Sequence, residues 1–127
     1  MTEDNANKLA LAISHEEGFF APVIVGAPNR PQRNHNPGDL RDWPGYPADE
    51  GGFSIFPDDA TGWEKLKLNL TNHAARNPQQ TISEYIGGDG KGWPGYAPAS
   101  DGNDPVAYAE AVAREMGVTP ETRFEEL

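Results

Sequence analysis

Apolar side chains recur at helical spacing in three stretches of the chain. Leu9, Leu11 and Ile13 lead into Glu16 and Glu17 and predict a helix over residues 4–17, with Asp4 or Asn5 to cap it and Gly18 to end it. Trp63, Leu66, Leu70 and His73 or Ala74 form one stripe of a longer helix over residues 57–75. Pro57 or Asp58 opens that helix, and Asp58 and Asp59 suit the positive end of its dipole. Val106, Ala109, Val112, Ala113 and Met116 share the inward face of a last helix that starts at Asp104-Pro105 and stops at Gly117. Thr81 and Glu84 match a capping box before a short helix carrying Ile82, Tyr85 and Ile86. Apolar and polar residues alternate in "GFSIF", Gly52 to Phe56, which predicts a short strand or hairpin edge. Residues 21–52 and 87–102 are rich in Pro, Gly and Asn and read as ordered loops, with "NPGD", Asn36 to Asp39, as a turn. The pattern therefore predicts one mainly α-helical domain over residues 1–127 with a small β-hairpin element. Residues 119–127 are expected to fray.

Composition narrows the possible partners. The chain has 127 residues, which suits a single domain of the usual roughly 100–200 residues. With no cysteine it has neither a disulfide framework nor a thiolate metal site. Its net charge of −10 repels nucleic acid and anionic membranes, so neither is an expected partner. No segment approaches the ~20 consecutive apolar residues of a membrane span, so no membrane insertion is expected. The first residues, "MTEDNANKLALAIS", are acidic and do not read as a signal peptide. The expectation is synthesis in the cytoplasm, with any action outside it depending on delivery by other machinery.

Several chemistries fail on spacing. "HEEGF" begins like a zinc-protease helix, but Phe19 stands where the second histidine is needed. His15, His35 and His73 are scattered, and "SDGNDP", Ser100 to Pro105, lacks full calcium-loop spacing. No metal or cofactor is expected. One short repeat stands out, "WPGYPA" at Trp43–Ala48 and "WPGYAPA" at Trp93–Ala99. It is either two similar turns whose aromatics cover the core or two aromatic platforms flanking a sugar-binding cleft.

The carboxylates at the end of the first helix carry the remaining chemistry. A glutamate beside Ile13, Phe19 and Phe20 would lose water on folding, and desolvation raises a carboxyl pKa. A raised pKa makes a general acid usable near neutral pH, the requirement for protonating a glycosidic oxygen. On composition alone, an exposed helix-terminal glutamate is the simpler reading.

Four segments occur in a telling order: "ISHEEGFF", "QRNHNPGDLR", "GGFSIFPDDATGWEKL" and "YAPASDGNDPVAYAEAVAREMGV". Together, over Leu9 to Val118, they resemble the small lysozyme-like domains of phage and bacterial origin in the lytic transglycosylase and lysozyme superfamily. The resemblance implies an α+β lysozyme-like fold and cleavage of peptidoglycan glycan strands between N-acetylmuramic acid and N-acetylglucosamine. The family's catalytic glutamate before glycine falls on Glu17, and a transglycosylase Glu-Ser-Gly register would instead choose Glu16. Glu17 is preferred. Candidate substrate contacts are Asn36 and Arg41 in the first loop, Phe53 and Tyr46 among the aromatics, and Tyr96 before the last helix. For Asn36 the alternative is that its amide only fixes the turn, and for Tyr96 that it packs in the core.

Two mechanisms follow from the resemblance. A lysozyme uses a second carboxylate, for which Asp39, Asp49 and Glu50 are candidates. A lytic transglycosylase uses one glutamate as acid and then base, forming a 1,6-anhydro ring. The second is slightly favoured. The acidic surface works against long-range capture of an anionic wall, which implies delivery within a phage particle or secretion assembly, or else a non-catalytic glycan-binding or virion structural module. A third reading, an acidic inhibitor or immunity-type protein with a basic partner, explains the charge but not the ordered motifs.

Overall fold

A computed structural model of the chain describes residues 1–23 and 26–127. Ile24 and Val25, inside the loop expected over 21–52, lie outside the described residues. Among these there are five α-helices: α1 (Glu3–Glu16), α2 (Arg30–Arg33), α3 (Asp59–Arg76), α4 (Ile82–Gly87) and α5 (Pro105–Met116). Short 3-10 turns cover Ala99–Asp101 and Phe124–Glu126. Local chemistry sets most of the ends. Asp58 and Asp104 accept hydrogen bonds from Thr61 and Ala107 and cap α3 and α5, and Thr81 and Glu84 complete a reciprocal capping box on α4. Thr2, rather than Asp4 or Asn5, caps α1.

The core forms where α1 packs on α3 and α5, and α5 on α4. Leu9 and Ile13 of α1, Leu66 and Leu70 of α3, Ile82 and Ile86 of α4 and Val112 of α5 are all essentially inaccessible to solvent. Each such side chain contributes roughly 1.5–3 kcal/mol. Leu11 is exposed, because two residues along a helix turn through about 200° and carry it to the far side from Leu9. Val106 is also exposed, against the expected inward stripe, and Tyr108 takes the buried place on the first turn of α5. No helix among the described residues is long and apolar enough to cross a membrane.

No sheet forms among the described residues. Of the short strand or hairpin edge expected at Gly52–Phe56, the structure forms two isolated antiparallel bridges, Arg41 with Phe53 and Ala48 with Ser54. The cause lies in how the backbone bonds are shared. Ser54 N–H donates to Leu40 O, Ile55 N–H to Pro47 O and Phe56 N–H to Asn34 O. The segment thus divides its hydrogen bonds among three neighbours, and no pair makes a continuous ladder.

Residues 119–127, expected to fray, are packed. Ile82 N–H donates to Thr122 O and Phe124 N–H to Gln80 O, both at 3.0 Å. Phe124 is buried edge-on against Tyr85, and the Leu127 carbonyl accepts from Thr2 N–H (3.0 Å) and the Asn5 amide (2.6 Å). Two buried apolar side chains in nine residues hold the segment down, a signal outweighed in the sequence by its charge.

Candidate active site

The end of α1 is a Schellman-type stop. Gly18 takes a left-handed conformation (φ +83°), its N–H donates to His15 O, and Phe19 N–H donates to Ser14 O. The helix therefore ends with Glu17 as its C-cap. Glu16, one residue earlier, is exposed. The two carboxylates point about 100° apart, and Glu17 is the one that lines a groove of about 370 Å³.

The left-handed turn at Gly18 also sends the next residues away. Phe19 and Phe20 pack against Trp63, with ring centroids 5.9 and 6.1 Å from it, and do not line the groove. The shelter expected from them comes instead from residues far along the chain. Leu40, Tyr96 and Ala97 line the groove with Glu17, and Tyr108 on α5 donates a 2.8 Å hydrogen bond to Glu17 Oε2.

This setting raises the Glu17 pKa from 4.5 to about 7. Burial is the main cause. The negative charge of Asp39 adds to it, while the Tyr108 hydrogen bond and the positive charge of Arg30 oppose it. The C-terminal end of a helix is itself unfavourable for a carboxylate. At neutral pH about half of Glu17 carries a proton, against roughly 0.3% for an ordinary glutamate. Tyr96 and Tyr108 have their pKa values raised by burial first and by Glu17 among other neighbours, so both remain protonated donors.

One wall of the groove is the loop from Asn34 to Asp42. Asn36 is fully buried at its centre, donating to Leu40 O and Ser54 O and accepting from Leu40 N–H, each at 2.9 Å. Its amide fixes the loop and has no face toward a substrate, which corrects its assignment as a substrate contact. The loop holds three non-glycine residues, His35, Asp39 and Asp42, at positive φ. Such positions are strained and need the surrounding structure to maintain them. Gly62 on α3 provides part of that hold, since a Cβ there would lie 2.0 Å from His35 O.

Arg30, the first residue of α2, reaches across to this loop. Its Nε lies 3.0 Å from both oxygens of Asp39, and its Nη2 also donates to Asp39. Helix α2 is itself pinned to the end of α1, because Asn29 donates to Gly18 O and Gln32 donates to Phe19 O and Ala21 O. Asp49 holds the turn before Phe53, accepting from Gly51 N–H, Phe53 N–H and the Asn34 amide, and the Asn34 bond is the main reason its pKa lies below the usual range.

Of the other expected contacts, Arg41, Phe53 and Tyr96 line the groove. The Tyr96 hydroxyl is already engaged, donating to Gly38 O. Tyr46 does not line the groove; its ring packs edge-on against Phe56 at 5.1 Å and belongs to the core's margin. From the repeated "WPGY" turns it is the tryptophans, Trp43 and Trp93, that both line the groove, with Trp93 stacked on buried Tyr85 at 5.7 Å. Asn69, Asp101 and Asn103 complete a polar rim; the last two come from the "SDGNDP" segment that fails as a calcium loop, and Asn69 has no signal in the sequence. Among the described residues no cluster of three or more His, Asp or Glu is arranged to hold a metal ion.

Comparison with models of protein families, with curated proteins and with solved structures found no match for this chain.

Proposed function

We propose that this chain is a lysozyme-like domain that cleaves peptidoglycan glycan strands between N-acetylmuramic acid and N-acetylglucosamine, with Glu17 as general acid and base. The observation that carries the reading is Glu17 itself, a carboxyl with a pKa near 7 opening into a groove lined by two tryptophans, a tyrosine and polar side chains. Such a group can donate a proton to a leaving oxygen at neutral pH and take one back afterwards. The order of sequence motifs from Leu9 to Val118 supports the same reading.

The single-acid route fits best. Glu17 protonates the glycosidic oxygen as the C1–O bond breaks. The muramic 6-hydroxyl then bonds to C1, and its proton returns to Glu17, so no water is consumed and the product is a 1,6-anhydro sugar. A hydrolytic route needs a second carboxylate to position water. Asp39 presents both oxygens to Arg30 and is only 5% exposed, Asp49 is occupied by its turn, and Glu50 does not line the groove.

Purified cell walls provide the test. Wild type should reduce wall turbidity and release muropeptides lighter by one water than hydrolysis products, and Glu17→Gln should abolish both. Reducing-end products would replace the transglycosylase route with a lysozyme one. Wall binding without clearing would favour the non-catalytic module. With a net charge of −10, arrival at the wall depends in this reading on a larger carrier such as a virion or secretion assembly.

A further inference from the structure

We propose that Arg41 reads a carboxylate on the bound glycan, so that the groove selects carboxylate-bearing strands over neutral amino-sugar polymers. This rests on the reading of Glu17 as the acid of a glycan-cleaving groove.

The argument starts from Phe53. Two guanidinium groups stack on its ring, with the central carbon of Arg30 3.5 Å and that of Arg41 4.1 Å from the ring centroid. Two groups that close to one centroid would collide on a single face, so one stands on each. The two arginines then differ in how their charge is used. Arg30 is neutralised by Asp39 through paired hydrogen bonds. Arg41 makes one side-chain hydrogen bond among the described residues, a 3.2 Å donation to Gly51 O, and no carboxylate pairs with it there.

A guanidinium has five N–H donors in a rigid fork that matches a carboxylate, so most of Arg41's capacity is unspent. The chain has 20 acidic and 10 basic residues, and an unneutralised arginine on its groove wall is against the grain of that surface. Phe53 beneath and Gly51 beside hold its orientation in advance, which lowers the ordering cost of binding. The groove can also accept an anion. Asp39 is matched by Arg30 and Glu17 is about half protonated at neutral pH, which leaves Asp101 as the remaining carboxylate on the lining.

A wall strand offers such a carboxylate from two sources. One is the stem peptide; the other is the lactyl group of muramic acid once that peptide has been removed. Chitin-type polymers have neither.

The test measures equilibrium binding in a Glu17→Gln background, so that the strand stays intact. Four probes of matched length are compared: chito-oligosaccharide, wall strands with stem peptides, amidase-stripped strands with a free lactyl carboxylate, and carboxylate-bearing strands chemically amidated. At least one carboxylate-bearing probe should bind about tenfold more tightly than chito-oligosaccharide, the order expected for a charge-assisted hydrogen bond. The probe that gains identifies the source. Amidation should erase the preference, and so should adding Arg41→Gln. Equal binding of all probes, or a preference that survives either amidation or Arg41→Gln, overturns the proposal. The amidated probe keeps the test independent of how the Arg41 variant folds. Wall clearing that depends on Glu17 while the preference survives Arg41→Gln would remove the Arg41 assignment alone. Clearing that persists in Glu17→Gln would remove the catalytic reading instead.

Discussion

Glu17→Gln should stabilise the protein relative to wild type progressively as pH rises. In the folded state the Glu17 carboxyl titrates near 7 and in the unfolded chain near 4.5, so between those values the native state binds more protons. Wild-type stability therefore falls as pH climbs through that window, and the loss is complete above the folded pKa. At about 1.4 kcal/mol for each tenfold in proton affinity, the cost of ionising Glu17 in place comes to about 3 kcal/mol. Glutamine is neutral throughout, and its carbonyl oxygen can still accept the Tyr108 hydrogen bond. Below about pH 4 both side chains are uncharged, and the melting temperatures report only the exchange of hydroxyl for amide. Above about pH 8 the variant should gain those 3 kcal/mol, or about 10 °C in Tm for a chain of this length. Thermal unfolding followed by circular dichroism at several pH values between these limits gives the result directly. A constant offset between the two proteins across the range would mean that the folded protein does not favour the protonated carboxyl, and the acid chemistry would lose its basis.

Tyr108→Phe removes the hydrogen bond that favours ionised Glu17, so the Glu17 pKa should rise further and the alkaline limb of the wall-clearing profile should move to higher pH, read from initial rates across a pH series. Asn36→Ala should cost about 2–4 kcal/mol in urea unfolding, because it leaves buried backbone groups of Leu40 and Ser54 without partners. Gly62→Ala should lower stability by about 1–3 kcal/mol or more, since the new Cβ collides with His35 O, and Tm measurement checks it. Phe124→Ala should cost about 3–5 kcal/mol by the same measurement, whereas a frayed tail would lose almost nothing.

The helices could be read from the sequence because their signals are local. Asp104-Pro105, the Thr81–Glu84 pair and Gly18 each act within four residues, and the structure uses all of them. The groove is different in kind. Tyr108 meets Glu17 across 91 residues, and Arg30 meets Asp39 only because α2 is bonded to the end of α1. Phe19 and Phe20 look like the shelter of Glu17 in the sequence, yet a left-handed glycine turns them toward Trp63. The sign of Tyr108 in the sequence is its spacing, four residues before Val112 of the predicted inward stripe, which places both on one helix face, as the structure shows. The repeated "WPGY" turns left open whether their aromatics cover the core or flank a groove, and the structure divides them: Trp43, Trp93 and Tyr96 line the groove, and Tyr46 packs on Phe56.

The strained loop around Asn36 has a dynamic consequence. Its amide bridges Leu40 and Ser54 from a position without solvent access, and α3 presses on it at Gly62. The Leu40 amide hydrogen is thus locked, and its exchange with deuterated solvent should require opening on the scale of the whole domain rather than a local fluctuation. Under the proposed glycan-cleaving role, a wall with that stiffness would act as a fixed template, and little of a strand's interaction energy would be diverted to freezing protein motion.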